Sequence, residues 1–235
     1  MRKGIYLLPN AITLCGMFAG FFSIISSLNG NFTTAAWAII LAGVFDGLDG
    51  WVARMTSTSS RFGVELDSLA DVISFGVAPA VLSLTWALAP FGRVGWAVAF
   101  LFTACGALRL ARFNVQKETE EKKTFTGMPI PAAAGVVSAM VIFYDNMDWL
   151  PERSYFILAI VILISFLMVS TLRFHSLKEV NMRERKPFFI LVALVSVIAV
   201  FYMHPELTMF SIAIIYISMG LVENAYLVLV KKEKP

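Results

Sequence analysis

Charge is scarce in this chain: Asp, Glu, Lys and Arg make up 15% of its 235 residues, where a soluble domain carries roughly 25%. With 58% hydrophobic residues and 20 Phe, the apolar surface exceeds what one globular core of this length can enclose. A free-standing soluble globule is therefore excluded, and the surplus needs an apolar solvent. Cysteine is scarcer still, limited to Cys15 and Cys105. Both lie inside apolar runs and form no CxxC pair, so they read as small apolar fillers and not as a disulfide framework. There is no basic face interleaved with stacking aromatics, so no nucleic-acid partner is expected. His175 and His204 lack metal-ligand spacing. Strand alternation and internal repeats are missing, and no polar stretch is long enough to fold alone.

What fills the chain is a series of long apolar segments, about Leu7–Leu28, Thr33–Ala53, Phe62–Leu88, Val94–Leu110, Pro129–Tyr144, Tyr155–Leu172, Pro187–Met203 and Leu207–Val230. Most approach the roughly 17–25 residues of a spanning helix. Met1-Arg2-Lys3 looks like the start of a signal peptide, but the apolar run behind it is too long and no small-residue cleavage site follows. The first segment is therefore read as a membrane helix. The expected fold is all-α: one domain over residues 1–235, a polytopic bundle of about eight transmembrane helices, a six-helix core plus two. If all eight span, every one of the 19 Lys and Arg except Arg93 and Arg153 falls on one side. By the positive-inside bias that side is cytoplasmic and holds both termini, placing the protein in the cell (inner) membrane. Six spans would also keep both ends inside.

One stretch carries chemistry. Asp46 and Asp49 are three apart, and Asp67 and Asp71 four apart, so each pair shares a helix face. The polar turn Thr56-Ser57-Thr58-Ser59-Ser60 between them makes an antiparallel helix hairpin. Asp49 and Asp67 are each nine residues from Thr58 and so lie at matching depth, at most about 13 Å from the tip. Asp46 and Asp71 match one turn deeper. Four carboxylates at one level repel one another unless cations neutralise them, and all-oxygen ligation suits Mg2+ or Mn2+ better than zinc. Two such ions form a clamp for in-line attack at phosphorus. Gly47, Gly50 and Gly63 allow close packing and leave room for a bulky ligand. Arg54, one turn beyond Gly50, can hold a phosphate oxygen while staying near water. The plain alternative, Asp and Arg as mere packing pairs, fits poorly with four Asp at this spacing.

These residues complete the pattern D-x2-D-G-x2-A-R-x8-G-x3-D-x3-D from Asp46 to Asp71, and in this the chain resembles the CDP-alcohol phosphotransferase family. The resemblance implies a CDP-linked donor, CMP as leaving group and an alcohol acceptor. It further implies that Asp46, Asp49, Asp67 and Asp71 hold two metal ions and that Asp71 takes the acceptor's proton. Gly50, Arg54 and Ser60 match donor-contacting positions. Pro9-Asn10-Ala11-Ile12-Thr13 resembles the nucleotide-side segment, with Asn10 and Thr13 as candidate contacts. Family likeness also implies a homodimer.

The stretches Leu108-Arg109-Leu110-Ala111-Arg112-Phe113-Asn114 and Phe125 to Ala134 look like membrane-embedded phosphatidylserine synthases of bacteria and archaea. CDP-diacylglycerol and L-serine are then the expected substrates. A serine carboxylate wants a guanidinium, and Arg109 and Arg112 share one helix face. Snorkelling and topology anchoring are their plain alternative. Glycerol 3-phosphate or an inositol phosphate is the competing acceptor, although a phosphate needs a larger basic pocket. A divalent-cation transporter is the competing class. It would put acids near mid-bilayer on broken helices of inverted repeats, not on one hairpin near one face beside an arginine.

Overall fold

The structure, a computed structural model, describes residues 7–56, 60–118, 127–145, 153–172 and 202–232. They form seven helices and, among the described residues, no strand: α1 (Leu7–Leu28), α2 (Phe32–Thr56), α3 (Arg61–Phe91), α4 (Arg93–Glu118), α5 (Ile130–Asp145), α6 (Arg153–Val169) and α7 (Pro205–Lys232). Seven of the eight expected segments are thus helices. The other, Pro187–Met203, lies outside the described residues except for 202 and 203. Four helices, α1 to α4, are long and apolar enough to cross a membrane, and shorter apolar stretches occupy Ile130–Tyr144, Tyr155–Val169 and Pro205–Gly220. The fourth helix runs past its expected end at Leu110 because the charges that close the apolar run, Arg109 and Arg112, are themselves good helix formers.

Small side chains set the closest packing. α1 buries Gly16, Ala19, Gly20 and Ser23, with Gly16 close to Ala42 and Phe45 of α2, and α2 buries Ala35, Ala36, Ala38 and Ala42. Such faces let backbones approach where no hydrophobic effect drives helices together. The two helices are joined by the Asn29–Asn31 turn, where Gly30 adopts φ 78°. α4 lies along α6, and α5 sits between α2 and α7. Phe75, Leu82, Phe102, Met128, Ile130 and Ile164 meet in the centre. Large side chains such as Phe18, Phe21, Trp51, Phe100 and Phe166 face outward, as expected for a surface bathed in lipid.

α3 is the central helix and is not uniform. It widens into π turns at Val72–Val77 and Leu84–Leu88. Each ends on the residue before a proline: the Ala78 N–H bonds the Ile73 carbonyl, the Ala89 N–H bonds the Leu84 carbonyl, and Pro79 and Pro90 follow. A proline offers no N–H and crowds the carbonyl four residues back. The wider turn absorbs both effects without breaking the helix. The first π turn touches α1, α2, α4 and α5, and it begins directly after Asp71.

Candidate active site

The acidic helices meet in a way the sequence did not predict. α2 and α3 run back on each other, but the backbone of Arg61–Asp71 packs mainly on α1, and α3 comes closer to α2 from Val72 onward. The hairpin is therefore splayed at its acidic end, with α1 bracing both arms. Residues 57–59, at the tip of the expected turn, lie outside the described residues. Ser60 begins α3 as its N-cap: its side-chain oxygen accepts the Gly63 N–H at 3.0 Å, satisfying an otherwise orphan donor.

The splay opens a cleft lined by Pro9, Asn10, Asp49, Gly50, Ser60 and Asp67, among others. A smaller recess beside Asp49 and Asp67 reaches Asp46, Asp71 and Ser74. Carboxylate oxygens of Asp46, Asp49 and Asp67 all lie within 4.8 Å of one another. Asp71 is outside that set of three; its side chain instead contacts Asp46 by hydrogen bonding. Asp49 is buried, and Asp46, Asp67 and Asp71 are half-buried.

Such an arrangement is costly by itself. One acid at membrane depth costs roughly 2.5–3.5 kcal/mol on insertion scales. Two unit charges at 4 Å repel by about 4 kcal/mol at an effective dielectric of 20. A bound divalent cation offsets both, and the donor set, all hard carboxylate oxygen, fits Mg2+ or Mn2+.

The residues expected to touch the donor separate into distinct roles. Asn10 lines the cleft. Thr13 is buried, and its hydroxyl donates to Asp49 Oδ2 at 2.7 Å, with the Pro9 carbonyl at 3.1 Å. It therefore orients an acid, a role no sequence signal marked, since the partners are 36 residues apart. Gly63 is a packing glycine: an added Cβ would sit 3.0 Å from Asn10 Oδ1 and 3.1 Å from Ser60 Oγ. Gly47 and Gly50 are open ground instead. Nothing lies within 4 Å of a Cβ at Gly47, and at Gly50 only the Arg54 guanidinium does, at 4.0 Å. Arg54 is exposed and stands over that opening.

Two further contacts behind the acids were not anticipated. Ser74, in the first π turn, donates to the Gly16 carbonyl at 3.2 Å, and a Cβ at Gly20 would lie 2.5 Å from Ser74 Oγ. Asn114 Nδ2 donates to Ser68 Oγ at 2.9 Å, tying α4 to the acidic turn of α3.

The two arginines expected to hold serine part company. Arg112 Nη1 donates to the Val169 carbonyl at 3.2 Å. The Gly127 and Met128 N–H groups bond the carbonyls of Leu172 and Leu167 at 2.8 and 3.0 Å. Together they satisfy carbonyls at the C-terminal end of α6, which that helix cannot pair itself. Arg109 is half-buried instead and lies within electrostatic reach of Asp71 and of Tyr216 on α7.

A sequence model of the CDP-alcohol phosphatidyltransferase family matches residues 6–164, so the acids, the cleft and most of the bundle fall inside the matched span. The chain belongs to that family and is a membrane-embedded transferase. It is similar to the CDP-diacylglycerol–serine O-phosphatidyltransferase of Helicobacter pylori (strain ATCC 700392 / 26695), 42% identical over 189 residues, 80% of this chain and 79% of the relative. It is also similar to the archaetidylserine synthase of Methanothermobacter thermautotrophicus, 40% identical over 171 residues, 71% of this chain and 69% of the relative. The CDP-diacylglycerol–serine O-phosphatidyltransferase of Saccharomyces cerevisiae is 37% identical over 164 residues, 59% of this chain and 56% of the relative.

Proposed function

We propose that this protein transfers the phosphatidyl group of CDP-diacylglycerol to the hydroxyl of L-serine, giving phosphatidylserine and CMP. The observation that carries the reading is the convergence of the Asp46, Asp49 and Asp67 carboxylates beside Asp71 in a cleft between α1, α2 and α3. The acceptor is supported by the relatives' names: those named for different lipids are all named for serine.

In this reading the donor's acyl chains lie in the bilayer and its CDP head enters the cleft. Asn10 and Ser60 line the nucleotide end, and the open ground at Gly47 and Gly50 admits the diphosphate under Arg54. The guanidinium holds a phosphate oxygen by a charge-assisted bond. Asp46, Asp49, Asp67 and Asp71 hold two divalent ions, Mg2+ or Mn2+. Bound there, they supply Lewis-acid charge to the diphosphate. Thr13 keeps Asp49 in its ligating rotamer. Asp71 accepts the serine hydroxyl proton while the serine oxygen forms its bond to the phosphatidyl phosphorus. The bond from that phosphorus to the CMP oxygen breaks, and CMP leaves with the electron pair. No activated Ser or Cys stands among the acids, so attack is direct. A burst of CMP without serine would overturn that order of events.

The whole chain, residues 1–235, acts as one domain with about eight spans in the cell (inner) membrane. Both termini and the cleft face the cytoplasm, and two copies form a homodimer. The test of function is CMP release from CDP-diacylglycerol by purified protein across a panel of alcohols. L-serine should support turnover, and glycerol 3-phosphate and inositol phosphate should not. Turnover on either phosphate in place of serine overturns the reading.

A further inference from the structure

We propose that Arg109 and Tyr216 form the acceptor-carboxylate subsite, with the guanidinium holding the carboxylate and the phenol of the C-terminal helix fixing that guanidinium. This rests on the reading of the cleft as a serine phosphatidyltransferase site.

Arg109 Nε is buried and has no hydrogen-bond partner among the described residues. Guanidinium donors are the strongest side-chain donors a protein has, and a buried one left open calls for an explanation such as a ligand. Its position supplies one. The guanidinium lies within electrostatic reach of two groups from other helices, Asp71 on α3 and Tyr216 on α7. An acceptor with its carboxylate on Arg109 is thereby held near Asp71, the group that takes the proton in this reading. Serine carries carboxylate and hydroxyl on neighbouring carbons, so one small molecule can address both groups.

Arg112 is exposed and spends one donor on the Val169 carbonyl, so Arg109 is the guanidinium of this face that is buried with an open donor. A single guanidinium matches a monoanionic carboxylate in charge and bidentate shape, whereas a phosphate dianion asks for more positive charge. Tyr216 adds a feature from outside the span that the family model matches, which ends at residue 164. α7 is held to α5 by stacking of Phe210 on Phe143, ring centroids 4.1 Å apart, and Tyr216 follows Phe210 on the same helix. Acceptor choice is thereby set partly by the C-terminal helix, while donor and metal chemistry stay with α1 to α3.

The test compares L-serine with ethanolamine, which keeps a primary hydroxyl and amine but lacks the carboxylate, using the full-length enzyme and CMP release. Arg109→Gln should raise the serine KM roughly 10- to 100-fold, the range for losing a charged hydrogen bond, with the CDP-diacylglycerol KM changed by less than about twofold. The preference for serine over ethanolamine should fall by the same factor. Arg109→Lys should recover part of it. Tyr216→Phe should raise the serine KM by roughly three- to tenfold, as for a neutral hydrogen bond, acting on KM more than on kcat. A helix merely loosened by these changes would slow both acceptors alike, so an unchanged serine-over-ethanolamine preference in Arg109→Gln overturns the proposal. If that variant does not accumulate, an unchanged preference in both Arg109→Lys and Tyr216→Phe overturns it. Wild-type protein that releases CMP with another alcohol but not with serine overturns the parent reading and the subsite with it.

Discussion

Asp71 stands apart from the other three acids, the residue to which family resemblance also gives a separate role as base. Asp46, Asp49 and Asp67 bring oxygens together within 4.8 Å, while Asp71 lies beside Asp46 and next to Arg109. A group at the edge of the acid cluster, and within electrostatic reach of Arg109, suits the proposed role in proton transfer. Asp71→Asn should bind CDP-diacylglycerol nearly as well as wild type and lose turnover by roughly 10²–10⁴-fold, the span of general base catalysis. Donor binding and CMP release measured on the same preparation check both halves, and near-normal turnover would remove Asp71 from the base role. Asp67→Ala should instead shift the metal titration as well as the rate. Thr13→Val should shift it too, by about 10–100-fold in metal affinity, as loss of a ligand-orienting hydrogen bond does. A metal titration unchanged in Asp67→Ala takes Asp67 off the ligand list, and one unchanged in Thr13→Val removes Thr13 from its orienting role. The acids were legible because three- and four-residue spacings define a helix face. Thr13's bond to Asp49, Ser74's grip on Gly16 and the open donor of Arg109 depend on how separate helices dock, which no local spacing encodes.

At the scale of elements, apolar length was enough to find the helices and a turn signal enough to find Asn29–Asn31. The register inside α3 was not legible. Pro79 stands inside the expected run Phe62–Leu88 and Pro90 just past its end, and only the structure reveals that π turns let the helix continue through both. The splay of α2 from α3 was hidden for a related reason: α1, remote from the acidic motif in sequence, wedges against both arms. The strap from Gly127 to Met128 and the side chain of Arg112 meet at the end of α6, which gives Arg112 a capping contact that no local spacing announced. Gly127 has φ 84°, and a Cβ there would strike the Met168 carbonyl. Gly127→Ala should therefore lower stability by about 1–2 kcal/mol from backbone conformation alone, with the collision adding to it. Thermal unfolding in detergent measures this, and an unshifted midpoint would mean the strap does not hold α6. Arg112→Ala should likewise lower the midpoint while leaving the preference for serine over ethanolamine in place. Loss of that preference would restore Arg112 to the acceptor site.

For the whole molecule, two features of composition carry most of the information: a mean hydropathy of +0.77 and basic residues gathered, Arg93 and Arg153 aside, on one side of the expected spans. The first demands a bilayer around the outward Phe and Trp side chains. The second supports the proposed direction, because Lys and Arg resist translocation. In that topology the cleft opens to the cytoplasm, since Arg54 and Ser60 stand at the end of α2 and the start of α3, on the basic side. Metal, nucleotide and serine would then all arrive from the cytoplasm. In sealed everted vesicles an impermeant chelator added outside should stop CMP formation, and excess Mg2+ or Mn2+ should restore it. In right-side-out vesicles loaded with serine and metal, the same chelator should leave CMP formation running. Inhibition in right-side-out vesicles and none in everted ones would put the acids on the other face. Full activity in both preparations under excess chelator would mean that three carboxylates within 4.8 Å of one another are held together without a cation, against the electrostatic cost of bringing them there.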